Sequence, residues 1–128
     1  MSQKALKSAE LILAVGFGLA RRDMITDGPR VATATWRELT PALVREVSPD
    51  LVIAPAIAPS FDCVEIAERL SACGYGGAFL VVTHNIPDPS VIRRELSGRA
   101  GLLRTDVISV DEIAAALSDT LPNLAAAG

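Results

Sequence analysis

Three unbroken apolar runs constrain this chain more than anything else in it: residues 11–15 (LILAV), 51–54 (LVIA) and 78–83 (AFLVVT). A strand with one wet face alternates apolar and polar residues, so a run without alternation reads as a strand buried on both faces, the condition of a parallel sheet covered by helices. The last run is rich in β-branched residues and follows Gly74-Tyr-Gly-Gly77, a turn signal. Residues 30–34 and a short 101–104 complete a predicted set of five strands.

The intervening segments carry helical patterns with recognisable ends. Thr40 followed by Pro41 has the form of an N-cap and first-turn pair, with Leu43, Val44 and Val47 on one side of the turns that follow. Asp62 with Glu65 makes a capping box; Cys63, Ile66, Ala67, Leu70 and Cys73 form an inner stripe, Glu65, Glu68 and Arg69 face outward, and Gly74 stops the helix. Asp88-Pro89 opens a helix bearing Val91, Ile92 and Leu96 that ends at Gly98. Ser109 with Glu112 is a further box, followed by the stripe Val110, Ile113, Ala114, Leu117 and Leu121 and halted by Pro122. Residues 18–27 read as a weak helix, because Leu19, Met24 and Ile25 are sparse. Strand alternating with helix implies βαβ crossovers, and in such sheets function gathers at the carboxyl ends of the strands. On this reading those ends supply Gly16-Phe17-Gly18, Pro55-Ala56, Thr83-His84-Asn85 and Arg104-Thr105-Asp106.

Composition sets the outer bounds. The chain has 128 residues, 50% apolar and 21% charged, enough for a real core and expected to form one domain over residues 9–121 between tails at 1–8 and 122–128. Twelve Lys and Arg against 15 Asp and Glu leave a net charge of −3, which lacks the basic footprint of a nucleic-acid binder. Cys63 and Cys73, without a CxxC or Cys/His cluster, suit neither a disulfide framework nor a structural zinc site, and a cytoplasmic protein is expected. Lys4 and Lys7 before residues 11–20 have the outline of a signal peptide, but Glu10 abuts the run, Arg21-Arg22-Asp23 follows it and no A-x-A-like site is present. No apolar stretch approaches the roughly 18 residues that span a bilayer.

In their order and spacing these pieces resemble the receiver domain of two-component response regulators. Ser48-Pro-Asp-Leu-Val-Ile-Ala-Pro55 is similar to the third strand and its lead-in, Asp62 to Thr83 to the next helix, glycine turn and fourth strand, Ala100-Gly-Leu-Leu-Arg104 to the fifth strand, and Val31 to Val47 to the second strand and helix. The resemblance covers about residues 9–121. It implies a flavodoxin-like, three-layer αβα fold with a five-stranded parallel sheet in the order 2-1-3-4-5, with Thr83 at the family's switch position. The departures bear on chemistry. Pro55 stands at the phosphoacceptor position, Gly16 and Phe17 replace the acidic pair that holds the metal, and the family's Lys-Pro is Arg104-Thr105. Aspartyl phosphorylation needs a carboxylate nucleophile and an oxygen-bound cation. The resemblance is therefore to a pseudo-receiver, with no catalytic residue, metal or cofactor expected.

Single residues and short motifs offer other chemistry. Gly16-Phe-Gly-Leu-Ala after a strand is a partial dinucleotide fingerprint, but its sixth position is Arg21 and no P-loop lysine follows. His84 is the single His and has no partner at motif spacing, which favours a polar loop residue over an acid or base. Cys63 and Cys73 read as buried thiols. Thr83 and Arg104 form either an anion site or a pair bonded to loop backbone. Trp36 reads as a cap on the core, with an interface anchor as its rival.

The expected function is a phosphorylation-independent contact module in signal transduction or regulation, acting on a protein partner and as a homodimer. The resemblance places its surface on Val91, Arg93, Arg94, Leu102, Arg104, Asp111 and Leu117, where basic and acidic residues give self-complementary charge. The rival reading is a flavodoxin-like sensor of a small molecule or nucleotide, with Thr83, Asn85 and Arg104 as polar contacts.

Overall fold

The structure is a computed structural model that describes residues 10–17, 22–24, 30–58, 61–83, 89–97 and 103–109. Its described strands are β1 (Leu11–Val15), β2 (Arg22–Met24), β3 (Arg30–Ala34), β4 (Leu51–Pro55), the short β5 (Ile57–Ala58) and β6 (Phe61–Asp62), β7 (Ala78–Thr83) and β8 (Arg104–Ser109). Its described helices are α1 (Pro41–Val47), α2 (Cys63–Ala72) and α3 (Pro89–Ser97). The architecture is α/β, with a six-stranded sheet in the order β2-β3-β1-β4-β7-β8 and a separate β5-β6 hairpin. The β3-β1, β1-β4, β4-β7 and β7-β8 pairs are parallel, and β2 runs antiparallel to β3 at the edge.

The apolar runs become the centre of this sheet because neither face of them is left to water. Leu13, Val15, Ala32, Ala34, Val52, Ala54, Phe79, Val81 and Val107 form one buried face, packed with Leu43, Val44 and Val47 of α1, Ile66, Ala67 and Leu70 of α2, and Leu96 of α3. The opposite face buries Ile12, Ala14, Val31, Leu51, Ile53, Leu80, Val82 and Ile108 together with Phe17. In β7, Phe79 and Val81 therefore point one way and Leu80 and Val82 the other, as the period of two requires. No side chain of the three described helices belongs to the second cluster; the predicted stripe from Val110 to Leu121 lies outside the described residues.

The helix ends follow local chemistry. The Thr40 hydroxyl accepts from the Leu43 amide at 3.2 Å ahead of Pro41, and the Asp62 carboxylate accepts from the Glu65 amide at 2.9 Å. Gly74, with φ +83°, turns the chain out of α2 in a conformation that favours glycine. Among the described residues no helix is long and apolar enough to cross a membrane.

Several expectations are corrected. The sheet has six strands of mixed sense, not five parallel ones, because part of the predicted weak helix at 18–27 is the edge strand β2. Its three residues have few apolar neighbours with which to build a helical stripe, but they find ladder partners in β3, Arg22 opposite Thr33 and Met24 opposite Val31. The order β2-β3-β1-β4-β7-β8 therefore differs from the predicted 2-1-3-4-5, with the antiparallel β2 added outside β3. The last strand is Arg104–Ser109 rather than residues 101–104. Ser109 ends that strand, and the helix it is predicted to cap lies outside the described residues. Arg69 does not point simply to solvent, and Cys73 at the end of the α2 stripe is only partly buried.

Candidate functional site

The carboxyl ends of the parallel strands come together as the sequence implies, with contents that differ. At the end of β1, Gly16 has φ +88° and donates its amide to the Ala34 carbonyl at 3.1 Å. A side chain at Gly16 would be strained in that conformation. Phe17 turns inward and is buried in the second cluster. Both positions matched to the metal-holding acids thus have a packing explanation: a positive-φ turn, then an anchor in the core.

Pro55 ends β4 at a point where a missing amide costs no ladder bond. The amide of Ala56 donates to the Val82 carbonyl at 2.9 Å, so the nitrogen of Pro55 faces the β1 side, where pairing has already stopped at Ala14 opposite Ile53. The chain then folds back through β5 and β6, Ile57 opposite Asp62, and the Cys63 amide donates to the Ala56 carbonyl at 3.1 Å as α2 begins. At the end of β3, Thr35 and Glu38 close a reciprocal box, the Glu38 Oε1 accepting from the Thr35 amide at 2.9 Å and the Thr35 Oγ1 from the Glu38 amide at 3.3 Å.

Thr83 is buried at the end of β7, and its partner across the ladder is Ser109. Arg104 is opposite Ala78, and Thr105 opposite Phe79. The predicted pairing of Thr83 with Arg104 is therefore corrected: five residues of strand at about 3.3 Å each separate their levels, and Arg104 lies at the amino end of the sheet. The shift arises because β8 starts where the sequence reading ended its fifth strand. Thr105 moves with it, away from the end of β7. Ser109, the hydroxyl that does sit beside Thr83, carries no distinguishing signal in the sequence, since Thr105-Asp-Val-Ile-Ser109 does not alternate polar and apolar residues. His84 and Asn85 lie outside the described residues.

At the amino end, sequence reasoning overlooked Asp50 and Tyr75. The Asp50 carboxylate accepts from the amides of Glu10 and Leu11, both at 3.1 Å, while its own amide donates to the Leu11 carbonyl at 2.9 Å, which ties the start of β1 to that of β4. Tyr75 is buried and donates its hydroxyl to the Ala78 carbonyl at 2.7 Å. Burial pushes its pKa up to about 12, with the charge of Arg104 opposing and that of Asp50 adding. These are contacts that hold strand starts, and they include no nucleophile.

The thiols are quiet. Burial pushes Cys63 up to about 11, reinforced by the negative charges of Asp62 and Glu95 and opposed by backbone hydrogen bonds. Cys73 is also raised by burial, with Arg69 opposing. Both therefore hold their protons near neutrality, the reverse of a reactive cysteine. Among the described residues no three His, Cys, Asp or Glu side chains gather where a metal ion could be held.

Of the predicted contact surface, α3 packs beside β8 at the sheet edge. Val91 is 50% exposed, Arg94 is exposed, Arg93 lies on the α3 backbone and Arg104 is exposed on β8. Arg104 and Asp106 share the strand parity of Ile108, so they belong to the face opposite α3. Leu102, Asp111 and Leu117 lie outside the described residues. Comparison with family models, curated proteins and solved structures gives no match for this chain.

Proposed function

We propose that the chain is a receiver-like, flavodoxin-class contact module that works without phosphotransfer, in signalling or regulation, and that it associates with a second copy of itself through the edge formed by α3 and β8. The observation that carries this reading is the edge strand β8, outboard of which no described residue lies, flanked by α3 with Val91 exposed on it. Exposed Arg94 and Glu95 beside it supply the polar rim usual around such a contact. The absence of phosphotransfer is supported by the positions of Gly16, Phe17 and Pro55, which are used for a turn, a core anchor and a strand end. A receiver surface toggles when phosphorylation shifts a two-state equilibrium; without an acceptor the surface is constitutively competent, or is set by its partner.

The small-molecule reading loses its polar set, because Arg104 and Thr83 stand at opposite ends of the sheet. Sedimentation equilibrium tests the contact reading. The wild-type chain forms a reversible dimer, and Val91→Glu or Arg94→Glu weakens it while leaving the unfolding midpoint within the range of ordinary surface changes. A wild-type chain that stays monomeric to high micromolar concentration overturns the homodimer.

A further inference from the structure

The edge strand β8 carries a charge pattern that fits its own antiparallel copy. The Arg104 amide donates to the Gly77 carbonyl at 3.1 Å, so the backbone groups of Arg104, Asp106 and Ile108 face β7. Those of Thr105, Val107 and Ser109 then face outward, since successive residues of a strand direct their amides to opposite sides. Among the described residues nothing lies outboard of β8. At the centre of this outward row the Val107 amide donates to Oδ1 of Asp106 at 2.8 Å. An edge strand left with open donors is a template for strand addition, and a side chain folded back on such a donor blunts it.

Resting on the homodimer reading above, we propose that the second copy docks by pairing β8 with β8 antiparallel about a two-fold axis at Thr105, and that Asp106 is the guard displaced when it does so. About that axis Thr105 faces the partner's Thr105 as a hydrogen-bonded pair. Arg104 then falls directly opposite the partner's Asp106 on the same face, twice by symmetry, with Cβ atoms at the roughly 4.5–5.5 Å spacing of cross-strand neighbours. Val107 comes opposite the partner's Leu103, whose carbonyl accepts the amide that Asp106 covers in the single chain. The Asp106 carboxylate thus exchanges a local amide for the guanidinium of a second copy. The axis is perpendicular to the sheet, so both copies of α3 lie on the same side of the seam, which brings Val91 to its flank while the ion pairs form on the other side. Any different register loses this match: moving the axis by one residue, to Asp106, sets Arg104 opposite the partner's Ile108.

The test uses the full chain, with self-association read by sedimentation equilibrium and folding by the thermal midpoint. Arg104→Asp and Asp106→Arg each place like charges opposite one another and weaken the dimer at least about tenfold, and the double swap Arg104→Asp with Asp106→Arg restores it. Thr105→Pro removes an outward amide without touching a bond to β7, and it weakens association by at least about tenfold while the chain stays folded. A dimer that survives Thr105→Pro and both charge reversals but is lost in Val91→Glu keeps the contact reading and overturns the strand pairing. Single reversals that weaken the dimer with no recovery in the double swap overturn the register about Thr105. A monomeric wild type overturns both readings and leaves the edge to a strand from another protein. If Thr105→Pro fails to fold, the charge swap decides alone.

Discussion

The guanidinium of Arg69 lies 3.7 Å from the centre of the Trp36 ring and donates to the Trp36 carbonyl at 3.2 Å. The first contact is a cation over a π face, the second a hydrogen bond from the same planar group, and together they pin the turn after β3 to the middle of α2. Arg69→Ala is expected to cost about 1–2 kcal/mol, and Arg69→Lys to recover only part of it, because an ammonium cannot stack and donate from one plane. Trp36 is the sole Trp, so its fluorescence reports the loss directly. A double-mutant cycle with Trp36→Ala that shows no coupling would remove the stack from the stability of the fold.

Val82 lies on the buried second face of β7, 4% exposed, beside Leu80, Ile53 and Ile108. Val82→Asp places a carboxylate there without a partner, at a cost of several kcal/mol from a total that is about 5–15 for a domain. Loss of soluble protein, or a steep fall in midpoint, is expected. A soluble variant with an unchanged midpoint would mean that residues 78–83 are not a central strand.

Alkaline titration follows from two buried groups. Cys63 is raised from 9.0 to about 11 and Tyr75 from 10.0 to about 12, both chiefly by burial. Each proton is held more tightly in the folded chain than in the unfolded one. Their contribution is therefore complete below the ordinary values and declines as pH climbs through the raised ones. The midpoint should fall across that window more steeply for wild type than for a Cys63→Ala, Tyr75→Phe double variant. The chain has a single Tyr, so tyrosinate absorbance follows Tyr75 itself. Equal slopes for the two proteins would show that neither group is held as described.

Phosphate chemistry is checked by mass. With Gly16 in a positive-φ turn, Phe17 in the core and Pro55 at the strand end, incubation with Mg²⁺ and a small phosphodonor should leave the intact mass unchanged. An added phosphoryl group that is lost in base, as an acyl phosphate is, would contradict this account of the strand ends.

What could be read along the chain was whatever depends on near neighbours or on burial of a whole segment. LILAV, LVIA and AFLVVT are strands because such runs are too short for a buried helix, are bounded by Gly16, Pro55 and Gly77, and would expose alternate side chains in a half-wet strand, and Thr40 and Asp62 cap helices through amides three residues away. The α/β class follows from these. The edge strand Arg22–Met24 is different: its residues carry no burial pattern, and only β3 alongside makes them a strand. The same holds for Arg104, which a local reading puts at the end of a strand beside Thr83 and the ladder puts at the start, beside Ala78. Register between parallel strands is set by side chains that meet across the sheet from distant parts of the sequence, and a shift of a few residues changes no local propensity. The tertiary structure alone therefore decided which end of the sheet each polar residue occupies, and with it the contents of the candidate site.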